Sequence, residues 1–299
     1  MDYLTKAVAN GVRAYAAVTT DTINEAQKRH KLFSLASAAL GRTMTGALLL
    51  AANLKNKEAL TLKIAGDGVL GKITADATPE GYVRGFLDNP AADLPLNEKG
   101  KLDVGKGVGN GLITLTRFTG LKEPVTGSAE LVTGEIAEDI TNYLFVSEQT
   151  PSSVGLGVLV DTDYTIKASG GFFLQLLPDA SEEIIAKLEG NLKNTPAVSS
   201  LVAEGKTPEE ILRLLLNDID GFEILSKTDL AFRCKCSTER IEEVLLATGE
   251  KELESLVNDG HAEVVCHFCG EKYEFDKEHL EMLLRVAKKA KEIKAKGHF

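Results

Sequence analysis

The sequence predicts an α+β protein: an N-terminal antiparallel-sheet domain with helices, a helical linker, and a small C-terminal domain organised by cysteines. Three observations predict it. From about Gly11 to Pro178 short strand-like runs alternate with two or three helical ones. Two apolar helical runs joined by polar links containing glycine and proline follow. All four cysteines of the 299 residues then fall between Cys234 and Cys269. The expected boundaries are residues 1–178, 179–231 and 232–299.

In the first region Val12, Ala14, Ala16 and Val18 alternate as one face of a strand, and Thr22-Ile-Asn-Glu25 reads as a capping box opening a helix. Leu60–Ile64 and Lys72–Ala75 flank Gly66-Asp-Gly68, a hairpin signal. Further strands are expected at Gly111–Phe118, Gly155–Val160 and Ile166–Leu177, with a helix from Glu135 to about Glu148. Gly66, Gly68 and Gly71 spell a dinucleotide fingerprint, but Val69 to Ala75 reads as a strand where a helix is required. A phosphate loop fails as well, because Ile73 stands at its Ser/Thr position. Gly205-Lys206-Thr207 has Ser200 where the loop's first glycine belongs. No H-E-x-x-H or G-x-S-x-G occurs, so no motif proposes an enzyme.

In the second region Thr207-Pro-Glu-Glu210 caps a helix running to Leu216. An earlier helix, Ser181–Leu192, carries Ile184, Ile185, Leu188 and Leu192 as one stripe. Ile211, Leu212, Leu214, Leu215 and Leu216 nearly surround the later one. Docked, such helices pack on the first region's sheet; undocked, they expose a sticky surface.

The third region holds Cys234-Lys-Cys236 and, after 29 intervening residues, Cys266-His-Phe-Cys269-Gly270. Helices are expected at Ser237–Ala247 and Glu250–Asn258, and a terminal one from Asp276. Glu263–Val265 and Lys272–Phe275 read as strands joined by a knuckle in which Gly270 takes a positive φ. Two close-set thiol pairs at this spacing bring four sulfurs around one ion, as tetrahedral zinc requires, which makes this a small zinc-binding domain. Four thiolate ligands leave no open position for a hydrolytic water. Arg233, Lys235 and the cation all favour thiolate, the form that oxidants attack. A disulfide between Cys234 and Cys236 would close a very small ring and be easily reduced.

Composition is that of an ordinary globular protein, 43% apolar and 26% charged. A net charge of -10 argues against a nucleic-acid partner. The basic run from Arg285 to Lys296 reads as a solvated helix end. The opening residues carry no secretory signal, and Leu35–Leu54, the most membrane-like stretch, contains Arg42, Thr43, Thr45 and Asn53. The expectation is a cytoplasmic protein with no membrane partner. In a reducing compartment clustered cysteines mean metal binding or redox chemistry.

Phe232-Arg-Cys-Lys-Cys-Ser-Thr-Glu-Arg240 and Cys266-His-Phe-Cys-Gly-Glu-Lys-Tyr-Glu-Phe275 resemble the signature of the thirty-three-kilodalton heat-shock protein family, the redox-regulated holdase chaperones. Ile64–Gly68, Val108–Gly111, Tyr143–Gln149 and Ala168–Pro178 resemble family segments in the family's order, so the resemblance covers essentially the whole chain. It implies one zinc ion per reduced, inactive chain, held by Cys234, Cys236, Cys266 and Cys269. It also implies oxidation to Cys234–Cys236 and Cys266–Cys269 disulfides with loss of zinc and unfolding of the cysteine domain and linker. ATP-independent holding of unfolding proteins by a homodimer would follow. The basic tail matches no motif of the family. Two rivals from other classes are a zinc-ribbon nucleic-acid adaptor and a thiol-disulfide oxidoreductase using Cys266 and Cys269; acidity opposes the first, and the lack of a βαβ context opposes the second.

Overall fold

The computed structural model describes residues 1–55, 57–121 and 123–295. It divides into two compact units, residues 1–233 and 234–299. The first contains β1 (Tyr3–Ala9), β2 (Val12–Val18), α1 (Thr20–His30), α2 (Ser34–Ala51), β3 (Ala59–Gly66), β4 (Lys72–Ala77) and β5 (Tyr82–Leu87). After these come α3 (Val104–Val108), β6 (Gly111–Phe118), β7 (Val125–Glu130), α4 (Ala137–Glu148), β8 (Ser152–Val160) and β9 (Ile166–Leu176). Then follow α5 (Glu182–Asn194), α6 (Val198–Ala203), α7 (Pro208–Leu215), β10 (Glu223–Asp229) and β11 (Ala231–Phe232). The second unit contains α8 (Thr238–Thr248), α9 (Glu250–Asp259), β12 (His261–Val265), β13 (Lys272–Asp276) and α10 (Lys277–Ala295). The α+β class is as the sequence predicts.

Unit one has two sheets, ordered β10-β1-β2-β9-β8 and β11-β5-β4-β3-β6-β7. Every pairing is antiparallel except the short β11–β5 one. Helix α2 packs against both sheets. Its alanines, glycines and leucines allow close approach on every side, and 89% of its length is buried. It is the one helix among the described residues long and apolar enough to cross a membrane, and here it is core.

The other face of the first sheet is buried as well. Ala7, Val12, Ala14, Ala16, Phe172 and Leu174 pack against Leu188, Leu201, Ile211, Leu212 and Leu215, so helices α5–α7 lie docked in this structure. Of the expected stripe residues, Leu188 is buried, while Ile184 and Leu192 pack partly against this core. Leu214 faces outward at 43% exposure. Thr207 caps α7, accepting from Glu210 N–H at 3.2 Å, and Glu210 accepts from Thr207 N–H at 2.8 Å.

One extended segment closes an edge of each sheet. Residues of β10 pair with β1, then Leu230 N–H donates to Asp2 O at 3.0 Å, and β11 pairs with Tyr82 and Val83 of β5. Leu230 is buried in the main core.

One expectation is corrected. Helix α1 begins at Thr20, not at a capping box on Thr22, because the acceptor comes from far away: Asp2 Oδ2 takes the Thr22 N–H at 2.6 Å. Asp2 is buried, and burial pushes its carboxyl above the ordinary range. Strand β1 is joined to β2 through a two-residue Asn10-Gly11 turn in which Gly11 has φ 69°. The hairpin signal around Gly66-Asp-Gly68 does mark the β3–β4 connection. A Cβ on Gly66 would lie 1.9 Å from Val108 O, so that glycine serves close backbone approach within the fold, and β4, not a helix, follows the triplet.

Candidate metal centre

Among the described residues, unit two has a core of Ile241, Leu245, Leu253, Ala262, Phe275, Leu280 and Leu283, with seven partly buried apolar neighbours. A domain of this size rarely gains more than about 3–5 kcal/mol from such a core, so an added staple is expected on physical grounds.

The cysteines arrive on two arms. Cys234 and Cys236 sit just ahead of α8, whose N-cap Ser237 accepts the Arg240 N–H at 3.4 Å. The positive end of that helix favours negative charge at its start. Cys266 and Cys269 lie in the turn of the β12–β13 hairpin. There Cys266 N–H donates to Glu271 O at 2.9 Å and Gly270 N–H donates to Cys266 O at 2.8 Å, with Gly270 at φ 69° as its position in the knuckle requires.

The two arms bring the four sulfurs within 4.8 Å of one another. The Cys234 and Cys266 sulfurs are 3.8 Å apart, and those of Cys236 and Cys269 3.3 Å. All four cysteines are free of disulfides, and Cys269 is buried. Every sulfur named from the sequence is thus present in one cluster, in an arrangement able to hold a metal ion.

Burial pushes the Cys266 and Cys269 thiols up, and for Cys269 the neighbouring sulfurs add to the rise. Arg233 lays its guanidinium over the Tyr82 ring at 4.6 Å. Four thiolates crowded this closely need a cation among them.

Sequence reasoning missed one residue at the cluster. Tyr273 of β13 donates its hydroxyl to the Cys236 sulfur, and that bond, more than burial, raises its pKa. Its strand position was legible, but its direction towards a sulfur nearly forty positions earlier was not. The basic run is less free than expected: Lys288 pairs with Glu254 and Lys291 with Glu250, both at 2.8 Å. Lys296 lies outside the described residues.

A second polar cluster lies in unit one and had no sequence signal. Glu209 of α7, whose side chain is 13% exposed, accepts from Tyr3 at 2.8 Å and Thr5 at 2.7 Å, and pairs with Lys227 of β10 at 2.7 Å. Burial opposes its ionisation, but the bonds from Lys227, Thr5 and Tyr3 more than offset this and hold its pKa at about 2. Burial and the bond to Glu209 push Tyr3 up to about 12.

The whole chain can be set beside known proteins. The family model described as Hsp33 protein matches residues 2–276. A 33 kDa chaperonin of Bacillus subtilis is 51% identical over 287 residues, covering 95% of this chain and 98% of that protein. One of Desulforamulus reducens is 48% identical over 287 residues, covering 95% and 97%. The crystal structure of the 33 kDa chaperonin of Thermotoga maritima superposes with a TM-score of 0.91 at 37% identity, covering 96% of this chain and 99% of that one. With the four-cysteine cluster in place and nearly the full length matched, the chain belongs to the Hsp33 family of chaperones.

Proposed function

We propose that this protein is an ATP-independent holdase for unfolding proteins, kept inactive by zinc at Cys234, Cys236, Cys266 and Cys269 and switched on by oxidation of those residues. The observation that carries the reading is the convergence of the four sulfurs within 4.8 Å of one another. The chemistry of the donor set fits zinc: sulfurs about 2.3 Å from a tetrahedral centre lie about 3.8 Å from each other. Bound zinc would hold the sulfurs as thiolates and tie the arm before α8 to the β12–β13 hairpin. That tie is worth roughly 10–16 kcal/mol in small metallo-domains. It exceeds what the small core of this unit supplies, so losing it unfolds residues 234–295.

Oxidation by hydrogen peroxide would balance as four thiolates, two H2O2 and four protons from solvent giving two disulfides and four waters, with the zinc ion released. The pairing that the family resemblance implies is Cys234 with Cys236 and Cys266 with Cys269. Residues 179–231 act as a redox-sensitive linker that then undocks, uncovering Val12, Ala14, Ala16, Phe172 and Leu174 for clients. The family reading adds a homodimer working in the cytoplasm, binding proteins rather than catalysing a reaction.

The test pairs two readouts after peroxide and mild heat: zinc release to a chromogenic chelator, and light scattering of a heat-denatured client. Both should change together. Equal suppression of aggregation by reduced and oxidised protein would remove the switch.

A further inference from the structure

Residues 223–233 do more than connect. They form the outermost strand of both sheets of unit one, so their departure leaves β1 and β5 as bare edges. We propose that these two edges, with the socket vacated by Leu230 between them, bind extended segments of unfolding client proteins by strand addition. The inference rests on the reading that oxidation undocks the linker, and it names where a client is then held.

The structure itself shows what fits there. The occupant is ten residues of extended chain, Glu223 to Phe232, running from one sheet edge to the other. Its side chains contribute little: along β10 most are exposed, and Leu225 is 49% exposed. Backbone bonds therefore do most of the holding, including Ala231 N–H to Gly81 O at 3.0 Å and Arg233 N–H to Val83 O at 2.9 Å. Backbone recognition tolerates any sequence, which suits a protein that must hold many clients.

Lys227, paired with Glu209, and Phe232, packed partly against the main core, are exceptions, and Leu230 is the most buried. Leu230 is 8% exposed and shares the wall of a small cavity with Leu4, Leu48, Ala52, Pro79 and Gly81. A client strand with an apolar residue at the matching place would refill that socket. Removing the segment leaves β1 in place, because Leu4 is anchored in the main core and β1 keeps its full pairing with β2. A bare edge on a rigid sheet is a ready template for another strand.

The test uses the full oxidised chain and a synthetic peptide of Glu223–Phe232. Amide exchange at alternate positions of Tyr3–Ala9, and at Tyr82 and Val83 where β11 pairs with β5, should rise about tenfold on oxidation and fall again when a denatured client is bound. The peptide should restore the same protection and compete with the client in light scattering. The same peptide carrying Leu230→Asp should compete about tenfold less well. If β1 and β5 exchange freely while a client is held, or if the two peptides compete equally, the inference is overturned. If zinc leaves but the amides of Glu223–Asp229 stay protected, the undocking reading itself fails, and this inference with it.

Discussion

The Lys227 ammonium of β10 lies 2.7 Å from Glu209 Oε1 of α7, joining two elements of the proposed linker over the first sheet, while Tyr3 and Thr5 of β1 donate to the same carboxylate. Glu209→Gln keeps the shape and removes the charge. Hydrogen bonds to charged groups contribute about 1.5–3 kcal/mol, so urea unfolding of unit one should lose about 1–3 kcal/mol. Reduced protein carrying the substitution should also show partial aggregation suppression in light scattering, where the unsubstituted reduced protein shows little.

The same contact sets a pH dependence on both sides. Glu209 falls from its ordinary 4.5 to about 2, so its contribution is complete above about 4.5 and fades as pH drops towards 2. Tyr3 rises from 10.0 to about 12, so its contribution is complete below 10 and fades as pH climbs towards 12. Urea midpoints measured across pH should show both limbs. Glu209→Gln should flatten the acid limb and Tyr3→Phe the alkaline one.

Leu212 of α7 is fully buried against the first sheet. Leu212→Ala should cost about 2–5 kcal/mol, by lost burial plus the cavity left behind. If α7 covers a client surface, reduced protein with this change should hold a denatured client in a pull-down. Unchanged retention alongside lowered stability would sever docking from inhibition.

Cys266→Ser removes one of four sulfurs and should weaken zinc binding by more than about 100-fold, beyond the loss typical of an outer-shell partner. Stripping zinc from the unsubstituted protein with a chelator should abolish the helical dichroism of α8, α9 and α10 and leave the melting of unit one largely in place. Intact dichroism after complete removal would show that the small core suffices alone.

Local chemistry made much of this legible. The cysteine spacing identified the cluster, and Thr207-Pro-Glu-Glu210 marked the start of α7, because both signals are carried by residues close in sequence. Strands β7 and β10 were not anticipated, since Val125–Glu130 and Glu223–Asp229 are edge strands with little buried on either face. Asp2 capping α1 and Glu209 gripping β1 were invisible for another reason: each depends on a partner some 20 or 200 positions away. Tyr273 was readable as a strand residue but not as a neighbour of Cys236.

Asp2 has a practical consequence. Its carboxylate caps α1 and its carbonyl receives the Leu230 amide, whereas Met1 is 94% exposed. A purification tag fused ahead of Met1 therefore emerges into solvent. An aminopeptidase that removes Met1 and then Asp2 would leave both the Thr22 amide of the first helix and the Leu230 amide without their acceptor.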